Sequence, residues 1–480
     1  MSSPVKIDRR QFLAGLGASL GAVSIGCGDN RAAPSEGVDA AQGSPDAAVN
    51  AVNTCAVPSS RAAKELLAGI ETIVVLCMEN RSFDHCLGSL RLVEGRADID
   101  GLTGVESNPD RDGNPIAVHR IGELISSDPP HNWGAAHRQW NNGANDGFVQ
   151  AHAGAFQTDV MGYRIREQQP VTYALADAGA VCNRWFSSCL GPTWPNRAYL
   201  HAATSAGMKQ DLPMLFLSPT IWDRLAGAGI GGINYYHDIP WALGAFGRTS
   251  GFAPVERFFE DAAAGTLPPF AVIDPAFFGG GANDDHPTHD SSLGQALIAS
   301  VVAALGASPQ WNRCLFVLTY DEHGGFFDHV APPALSAQVE SDPEFRMLGF
   351  RVPSLVIGPH VRRGCAVNTV LEHSSVIATV SRRFGLEPLS PRDAAATDLS
   401  SCIDPQRLGA PLSPPVIPVI EISEQRLAAR QAFATASHPD LVAALAARPA
   451  PRGLDRRGDT DQVVRRVLRW GEQLGVVRVR

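Results

Sequence analysis

Two pairs of oxygen-bearing side chains could bind a divalent cation if the fold brings them together. Glu79-Asn80 and Asp321-Glu322 offer three carboxylates and one amide oxygen. Hard oxygen ligands of this kind suit Ca²⁺, Mg²⁺ or Mn²⁺. Three converging carboxylates would also repel one another, so their convergence calls for a cation. The alternative is that each pair consists of solvated loop residues.

A hydroxyl group that could attack phosphorus lies in the segment 190–197. Pro195 suits the first turn of a helix, and the stretch 198–205 has a helical pattern. Thr193 would then lie at a helix N-terminus, where backbone N–H groups favour an anion. A hydroxyl beside a metal ion can ionise and act as a nucleophile. The alternative is that Gly-Pro-Thr is only a helix cap.

Several histidines lie in polar loops, where a convergent set could bind phosphate oxygens and protonate a leaving alkoxide. They are His131, His237, His286, His289, His323 and His329. One such histidine by itself most often has no chemical role.

The elements that would position these residues are short apolar runs alternating with helical patterns. Runs at 73–78, 270–273, 314–319 and 354–358 are typical of strands buried on both faces, as in a parallel sheet. The first and third end in the acidic pairs, at the strand ends where such sheets bind ligands. Helical patterns at 291–307 and 373–384 complete the prediction of an α/β domain with a central, mostly parallel sheet.

Composition excludes other classes of protein. The chain has 480 residues, 44% of them apolar, so it can bury a core and is not disordered throughout. After position 30 it has no run of about 18 apolar residues, which argues against a polytopic membrane protein. A net charge of −9 argues against a nucleic-acid partner.

The first 26 residues are interpreted as a twin-arginine signal peptide, with Arg9-Arg10 before the apolar stretch 12–26. This interpretation predicts export by the twin-arginine machinery to a periplasmic, secreted or lipid-anchored location. Cys27 follows Ile25-Gly26, as in a lipoprotein cleavage site, so it is either lipidated or close to a simple cleavage site. Residues 27–60 are expected to be a flexible tether.

The remaining segments divide into a catalytic domain, 61–425, and a C-terminal helical extension, 426–480. Val463, Val464, Val467, Leu468 and Leu474 fit one face of a helix. This helix is expected to pack on the domain, with contact between its basic side and a membrane surface as the alternative. Eight cysteines follow Cys27 and permit disulfides without selecting a pairing. Cys77 and Cys314, inside apolar runs, are expected to be buried thiols.

Four motifs, in order along the chain, resemble the bacterial phosphoesterase family. This family contains the non-specific, phosphatidylcholine-cleaving phospholipases C and a related acid phosphatase. The motifs are MENRSFDH at 78–85, GPTWPNR at 191–197, NDDHP at 283–287 and YDEHGGFFDHVAPP at 320–333. The resemblance covers about residues 70–400. It implies an alkaline-phosphatase-like α/β fold and a metal-assisted mechanism with a phosphoenzyme intermediate.

The resemblance also implies roles for individual residues. The positions that match the metal ligands are Glu79, Asn80, Asp321 and Glu322, and Thr193 is expected to be a further metal ligand. They would hold one divalent ion: Ca, Mg, Mn or Zn. Thr193 matches the nucleophile, which is Thr in the phospholipases and Ser in the phosphatase.

The histidines match less uniformly. His286 matches a residue that holds the phosphoryl group or serves as acid, His131 matches another, and His237 is a weaker match. Supporting roles are expected for His323, His329, Asn196 and Arg197. Arg81 and Asp84 are expected to form a charge pair that shapes the first loop.

The resulting hypothesis is an exported, phospholipase C-like phosphodiester hydrolase acting on phospholipids or other phosphate esters. One alternative is an acid phosphatase that uses the same site for phosphomonoesters. A second is a lipid-anchored binding protein without catalysis.

Overall fold

A computed structural model describes residues 61–122, 127–154, 156–211, 218–242, 250–279, 281–430 and 460–480. The predicted signal peptide, Cys27 and the tether lie outside these residues. Among the described helices, none is both long and apolar enough to cross a membrane.

An eight-stranded sheet forms the centre of the protein. In chain order its strands are β1 (Thr72–Met78), β2 (Ala180–Cys182), β3 (Gly232–Tyr236), β4 (Phe252–Pro254), β5 (Phe270–Asp274), β6 (Cys314–Tyr320), β7 (Leu355–Ile357) and β8 (Cys365–Val367). Their order across the sheet is β8-β2-β7-β6-β1-β5-β3-β4. β1 and β6 are buried along their whole length, which is why both sequences are continuous apolar runs.

The predicted mostly parallel sheet is confirmed, with one strand running against the others. β1 pairs in parallel with β6 and β5, whereas β7 is antiparallel to β6 and β2. The run at 354–358, which was grouped with the parallel strands, forms the antiparallel strand β7. A parallel neighbour needs a crossover, usually a helix. The segment between β6 and β7 contains only the short 3₁₀ helix Pro343–Phe345 and no crossover helix. β7 therefore runs antiparallel to β6.

Helices flank the sheet. The longer ones are α1 (Trp133–Trp140), α2 (Pro170–Ala178), α3 (Thr193–Ala202), α4 (Val255–Ala264), α5 (Ser291–Ala307), α6 (Ser374–Phe384) and α7 (Thr460–Gln473). Shorter helices are Ala63–Leu67, Phe83–Leu87, Ser89–Leu92, Phe148–Ala151, Ile221–Gly227, Pro391–Ala395 and Glu424–Arg430. Two-stranded pairings outside the sheet join Ser107–Pro109 to Pro115–Ala117, His119–Arg120 to Gly162–Tyr163, and Ile420–Ile422 to Val477–Val479.

The two helices predicted from spacing are present. α5 has the predicted bounds and is capped by Asp290, whose carboxylate accepts from the Ser292 amide at 2.8 Å. α6 ends before Gly385, which adopts φ 70° as in many helix C-termini. α5 packs against α2, α4 and α7, and α6 packs against α3, so the helices cover the sheet in two groups.

The C-terminal helix α7 buries its apolar stripe. Val463, Val464, Val467 and Leu468 are buried, and Leu474 is partly buried against the same core. The expected packing on the domain is therefore present, while the division of the chain into domains stays a prediction. Cys77 and Cys314 are buried and unpaired, as expected. Cys365 is disulfide-bonded.

Candidate active site

Three acidic residues meet where adjacent parallel strands end. Glu79 follows β1, Asp321 follows β6, and Asp274 is the last residue of β5. The register that pairs Met78 with Tyr320 places Glu79 and Asp321 at the same sheet edge. All three side chains are fully buried. Asp274 was missed by the sequence analysis, although it ends an apolar run just as Glu79 and Asp321 follow theirs.

The two loops after β1 and β6 contact each other through their backbones. The Asn80 amide donates to Asp321 Oδ1 at 2.9 Å, and Asn80 itself has φ 62°, a conformation that asparagine tolerates. Gly324 has φ 63°, and a Cβ there would lie 2.1 Å from the Asn80 carbonyl oxygen. Only glycine fits this position. The glycine thus allows Asn80 and Asp321 to lie side by side.

A buried arginine stands among the carboxylates. Arg197, on α3, is fully buried, and its Nη2 donates to the Cys77 carbonyl at 3.0 Å. The guanidinium lies 3.3 Å from Glu79 Oε1 and 3.7 Å from both Asp274 Oδ1 and Asp321 Oδ2. From the sequence alone, a cation is expected to provide all the charge compensation. Arg197 supplies one positive charge against the cluster formed by Glu79, Asp274, Asp321 and Glu322.

The remaining carboxylate oxygens fit a cation. Asp274 Oδ1, Asp321 Oδ2 and Glu322 Oε1 are buried and accept no hydrogen bond. Burial, reinforced by the Glu79 carboxylate, raises the pKa of Asp321 to about 7. Burial also raises the pKa of Glu322 well above its usual range. A divalent ion would satisfy these oxygens and return both groups to the charged form.

The described part of the chain has two compact groups of ligand atoms, each within 4.8 Å: Asp128, His131 and His286, and Asp84, Asp328 and His329. The first of these groups adjoins Asn80 through His131. Glu79, Asp321 and Glu322 do not form a third group of this kind among the described residues. The Arg197 guanidinium lies 3.3 Å from Glu79 and 3.7 Å from Asp321.

Thr193 begins helix α3 and touches the predicted ligands. Its Oγ1 donates to Asn80 Oδ1 at 3.3 Å. Burial raises the pKa of the neighbouring Asp321 carboxyl, and the Thr193 hydroxyl is among the groups that oppose this rise. Thr193 is completely buried. The structure therefore brings together the hydroxyl and the oxygen-lined cluster, as the sequence analysis required.

Helix α3 spans Thr193–Ala202, so Thr193 lies at the helix N-terminus as predicted. Pro195 fits within the first turn, where its missing N–H costs nothing. The helix ends at Ala202, before position 205 where the helical pattern was expected to end. Asn196 fixes the preceding turn: its Nδ2 donates to the Gly191 and Pro192 carbonyls at 2.9 and 3.0 Å, and its Oδ1 accepts from the Cys189 amide at 3.0 Å. These bonds hold the turn that precedes Thr193, and none of them involves a carboxylate of the cluster.

An acidic side chain already lies at this helix N-terminus. The Trp194 amide donates to Asp211 Oδ1 at 2.8 Å. An anion is expected at this helix N-terminus from the sequence. Asp211 could not be identified as that anion, because it lies 17 residues after Trp194 and belongs to no motif.

Two of the predicted catalytic histidines converge beside Asn80. His131 Nε2 lies 3.1 Å from Asn80 Nδ2, and its Nδ1 lies 2.7 Å from the Pro129 carbonyl oxygen. The His131 and His286 rings are 5.7 Å apart, edge to face. Burial opposes protonation of His131, but the carboxylates of Glu322, Asp128 and Asp211 outweigh it and raise its pKa to about 9. The His286 backbone N–H donates to Asp284 Oδ1 at 3.0 Å, which fixes its loop.

Two other predicted histidines contact the cluster from its sides. His237 Nδ1 lies 2.7 Å from the Asp274 carbonyl oxygen, and Nε2 lies 3.4 Å from Asn283 Nδ2. His323 Nδ1 lies 3.0 Å from Glu322 Oε2. Burial lowers the pKa of His323 well below its usual range, so this ring is neutral. A further residue, His373, was not predicted; its Nε2 lies 2.6 Å from the Asp321 carbonyl oxygen.

His329 belongs to a separate network of buried charges. Its Nδ1 lies 2.7 Å from Asp84 Oδ2, and Arg351 contacts both Asp84, at 3.1 Å, and Asp328, at 2.8 Å. The expected charge pair between Arg81 and Asp84 is wrong. Arg81 donates instead to the Asp285 backbone carbonyl at 2.9 Å. Asp84 forms its ion pair with the buried guanidinium of Arg351.

Comparisons with known proteins show to which family this chain is related. The family model described as "Phosphoesterase family" matches residues 70–387. Non-specific phospholipase C6 from Arabidopsis thaliana is 36% identical in an alignment of 404 residues that covers 74% of this chain and 77% of the relative. Phospholipase C B from Mycobacterium tuberculosis is 29% identical in an alignment of 411 residues that covers 70% of this chain and 78% of the relative. A solved structure from Vibrio parahaemolyticus, described as a protein in the alkaline phosphatase superfamily, matches 50% of this chain and 65% of its own with 16% identity and a TM-score of 0.28, which is too low to bear on function.

Proposed function

Because this chain belongs to the phosphoesterase family and is a phosphoric ester hydrolase, we propose that it cleaves phospholipids in the manner of a phospholipase C. The products would be diacylglycerol and a phosphorylated head group. The names of the relatives support this choice of substrate, since both the plant and the mycobacterial proteins are phospholipases C.

The observation that carries the proposal is the position of the Thr193 hydroxyl. It lies within hydrogen-bonding distance of Asn80 Oδ1, and the backbone N–H of Asn80 donates to Asp321, whose Oδ2 has no hydrogen-bond partner. A hydroxyl held against such oxygens is placed to lose its proton and attack phosphorus. A purely structural threonine at a helix start would not need a cluster of buried carboxylates beside it.

The predicted ligands Glu79, Asn80, Asp321 and Glu322 would hold one divalent cation next to Thr193. When bound, such an ion lowers the pKa of the hydroxyl and stabilises negative charge on phosphoryl oxygens. The Arg197 guanidinium pairs with both Glu79 and Asp321, which holds the two side chains in place and reduces the repulsion between them.

The chain's own residues would then carry out two displacements at phosphorus. In the first, Thr193 Oγ1 bonds to phosphorus in line with the departing alkoxide, whose bond to phosphorus breaks. His286 and His131 lie together and would hold phosphoryl oxygens and donate a proton to that alkoxide. In the second, water attacks the phosphothreonine and the threonine oxygen leaves. We assign His237 a positioning role, because its Nδ1 contacts the backbone of Asp274.

We also propose that the protein acts outside the cytoplasm. The support is the Arg9-Arg10 pattern followed by an apolar stretch at 12–26. A reporter fusion carrying residues 1–60 should be exported, and Arg9→Lys combined with Arg10→Lys should retain it in the cytoplasm. Export that survives the double substitution would contradict a twin-arginine signal.

The proposed chemistry can be tested by comparing Thr193→Ser, Thr193→Ala and the wild type on a short-chain phosphatidylcholine and on a phosphomonoester. Serine keeps a nucleophilic oxygen and should retain measurable turnover, while alanine should lose at least about 10³-fold in kcat. Near-normal turnover of the alanine variant would refute the nucleophile. Faster hydrolysis of the monoester would favour an acid phosphatase. Full activity after prolonged chelation would rule out the cation.

A further inference from the structure

Two buried arginines lack the counter-ion that the other buried arginines have. Five arginine side chains are buried in the described part of the chain. Arg197, Arg351 and Arg392 each form an ion pair with at least one carboxylate. Arg81 and Arg164, each 1% exposed, bond to neutral groups and form no ion pair with any described residue. A buried charge without an opposite charge beside it is costly, so these two side chains call for an anion.

The two arginines contact the same residue, His85. Arg81 Nη1 donates to His85 Nε2 at 3.4 Å, while the Arg164 backbone N–H donates to the His85 carbonyl at 2.8 Å. Arg81 Nε also donates to the Asp285 carbonyl at 2.9 Å, and Arg164 Nη1 donates to Ser291 Oγ. Burial, and then the two guanidinium groups, lower the pKa of His85 well below its usual range, so its ring is neutral. Two positive charges therefore lie around one uncharged side chain.

The neighbouring side chains supply at most one negative charge. Besides Arg164, the described groups that act most strongly on Arg81 are Asp285, Cys86 and Tyr320. Burial raises the pKa of the Cys86 thiol to about 11, and it raises that of the Tyr320 hydroxyl well above its usual range. Both groups are therefore neutral, and Asp285 is the compensating charge. The cluster keeps an excess of at least one positive charge.

The hydrogen bonds of this cluster are also incomplete. Arg81 Nη2 and Arg164 Nε are buried and have no hydrogen-bond acceptor. A water molecule would accept these bonds but leave the excess charge, whereas an oxyanion would bring further buried oxygens that need donors. A halide ion is a single atom that accepts from both N–H groups and carries the missing charge. Ser291, which bonds to Arg164, lines a cleft of about 630 Å³ that is open to solvent, so a small ion has a route to the cluster.

We propose that Arg81 and Arg164 hold a halide ion, of the class of chloride and bromide, at a site separate from that of the proposed cation. Arg81 directly follows Asn80, and its backbone N–H donates to the Glu322 carbonyl at 3.0 Å. Its side chain reaches Asp285 in the loop before α5. An ion bound here therefore holds the loop after β1 against the loops that carry these two residues. The inference does not depend on the proposed hydrolysis, because halide binding needs no substrate.

The test is urea unfolding in rising sodium chloride or bromide, with the ionic strength kept constant by sodium gluconate. In the wild type, the unfolding constant at a fixed urea concentration should fall along a saturation curve. The fall should be about ten-fold when the halide reaches ten times its dissociation constant. Arg164→Met leaves Arg81 and Asp285 to balance each other, so this variant should show no saturable response. Arg392→Met is the matched control and should respond like the wild type, since Arg392 pairs with Glu372.

Crystals of the wild type grown in bromide supply a second measurement, which also decides the matter if Arg164→Met does not fold. The anomalous signal of bromide should show one peak within reach of both Arg81 Nη2 and Arg164 Nε. Water alone at this position would overturn the proposal. A halide effect that rises linearly with concentration, and equally in the wild type and both variants, would also overturn it, because a general salt effect behaves in this way.

Discussion

Replacing Arg197 with methionine tests whether this guanidinium and a cation share the task of neutralising one carboxylate cluster. The side chain is fully buried and lies within 3.7 Å of Glu79, Asp274 and Asp321. Removing one partner of a buried ion pair typically costs about 3–5 kcal/mol, because the opposite charge stays buried and unpaired. A domain stable by about 5–15 kcal/mol would remain folded but marginal.

A divalent cation should recover part of this loss. Binding to the folded state alone, at 100 times the dissociation constant, adds about 2.7 kcal/mol. In the Arg197→Met variant the cluster is more negative, so we expect the stabilisation by cation to exceed that of the wild type by about 1–2 kcal/mol. The measurement is urea unfolding at pH 8, with and without excess Mg²⁺ or Ca²⁺. This pH lies above the pKa of about 7 of Asp321 in the cation-free protein.

Arg392→Met is the matched control. Arg392 is also buried, and its ion pairs are with Glu372 at 2.5 Å and Glu340 at 3.6 Å, not with a carboxylate of the cluster. It should lose a similar amount of stability and gain no more from cation than the wild type does. Equal cation stabilisation of wild type and Arg197→Met, or a loss below about 1 kcal/mol without cation, would refute the shared role.

Three further predictions concern residues around the site. Gly324→Ala should lose about 2–4 kcal/mol and most of its turnover, because its Cβ meets the Asn80 carbonyl at a positive φ; thermal unfolding and kcat check this, and a neutral substitution would contradict the close packing. Asn196→Ala should lower kcat more than it raises KM, and cost about 2–3 kcal/mol, since it frees the turn before the nucleophile; an unchanged kcat would show that the turn holds without it. His329 pairs with Asp84, and its pKa is raised from 6.5 to about 10, burial opposing the shift and Asp84 outweighing it, so its stabilising contribution is complete below pH 6.5 and is lost as the pH rises towards 10. Denaturant titrations from pH 6 to 10 should therefore show a steeper loss in the wild type than in His329→Gln, and parallel curves would contradict this.

The features predicted correctly from the sequence depend on local patterns. Continuous apolar runs gave strands β1, β5 and β6, and the spacing of leucines and valines gave α5 with its observed bounds. Because parallel strands end at one sheet edge, the acidic pairs after β1 and β6 could be placed together without coordinates.

The features that were missed depend on contacts between distant segments. Arg197 was expected only to support the site, because nothing in its neighbourhood shows that it enters the carboxylate cluster. Asp211 and His373 reach the site from loops with no motif of their own. The direction of β7 was wrong because an apolar run does not encode which way it enters the sheet; the connection before it does.

The pairing of β1 with β6 has a consequence for the order of events during synthesis. Asn80 and Asp321 are 241 residues apart, yet the Asn80 backbone N–H donates a hydrogen bond to the Asp321 side chain. A ribosome-bound chain that stops before position 320 has only half of the oxygen pocket, so it cannot capture an ion at this place. Closing so long a loop is slow compared with forming hairpins or helices. With the cation site as proposed, uptake of a divalent ion would therefore report that β1 has paired with β6, while β7 and β8 follow later in the chain.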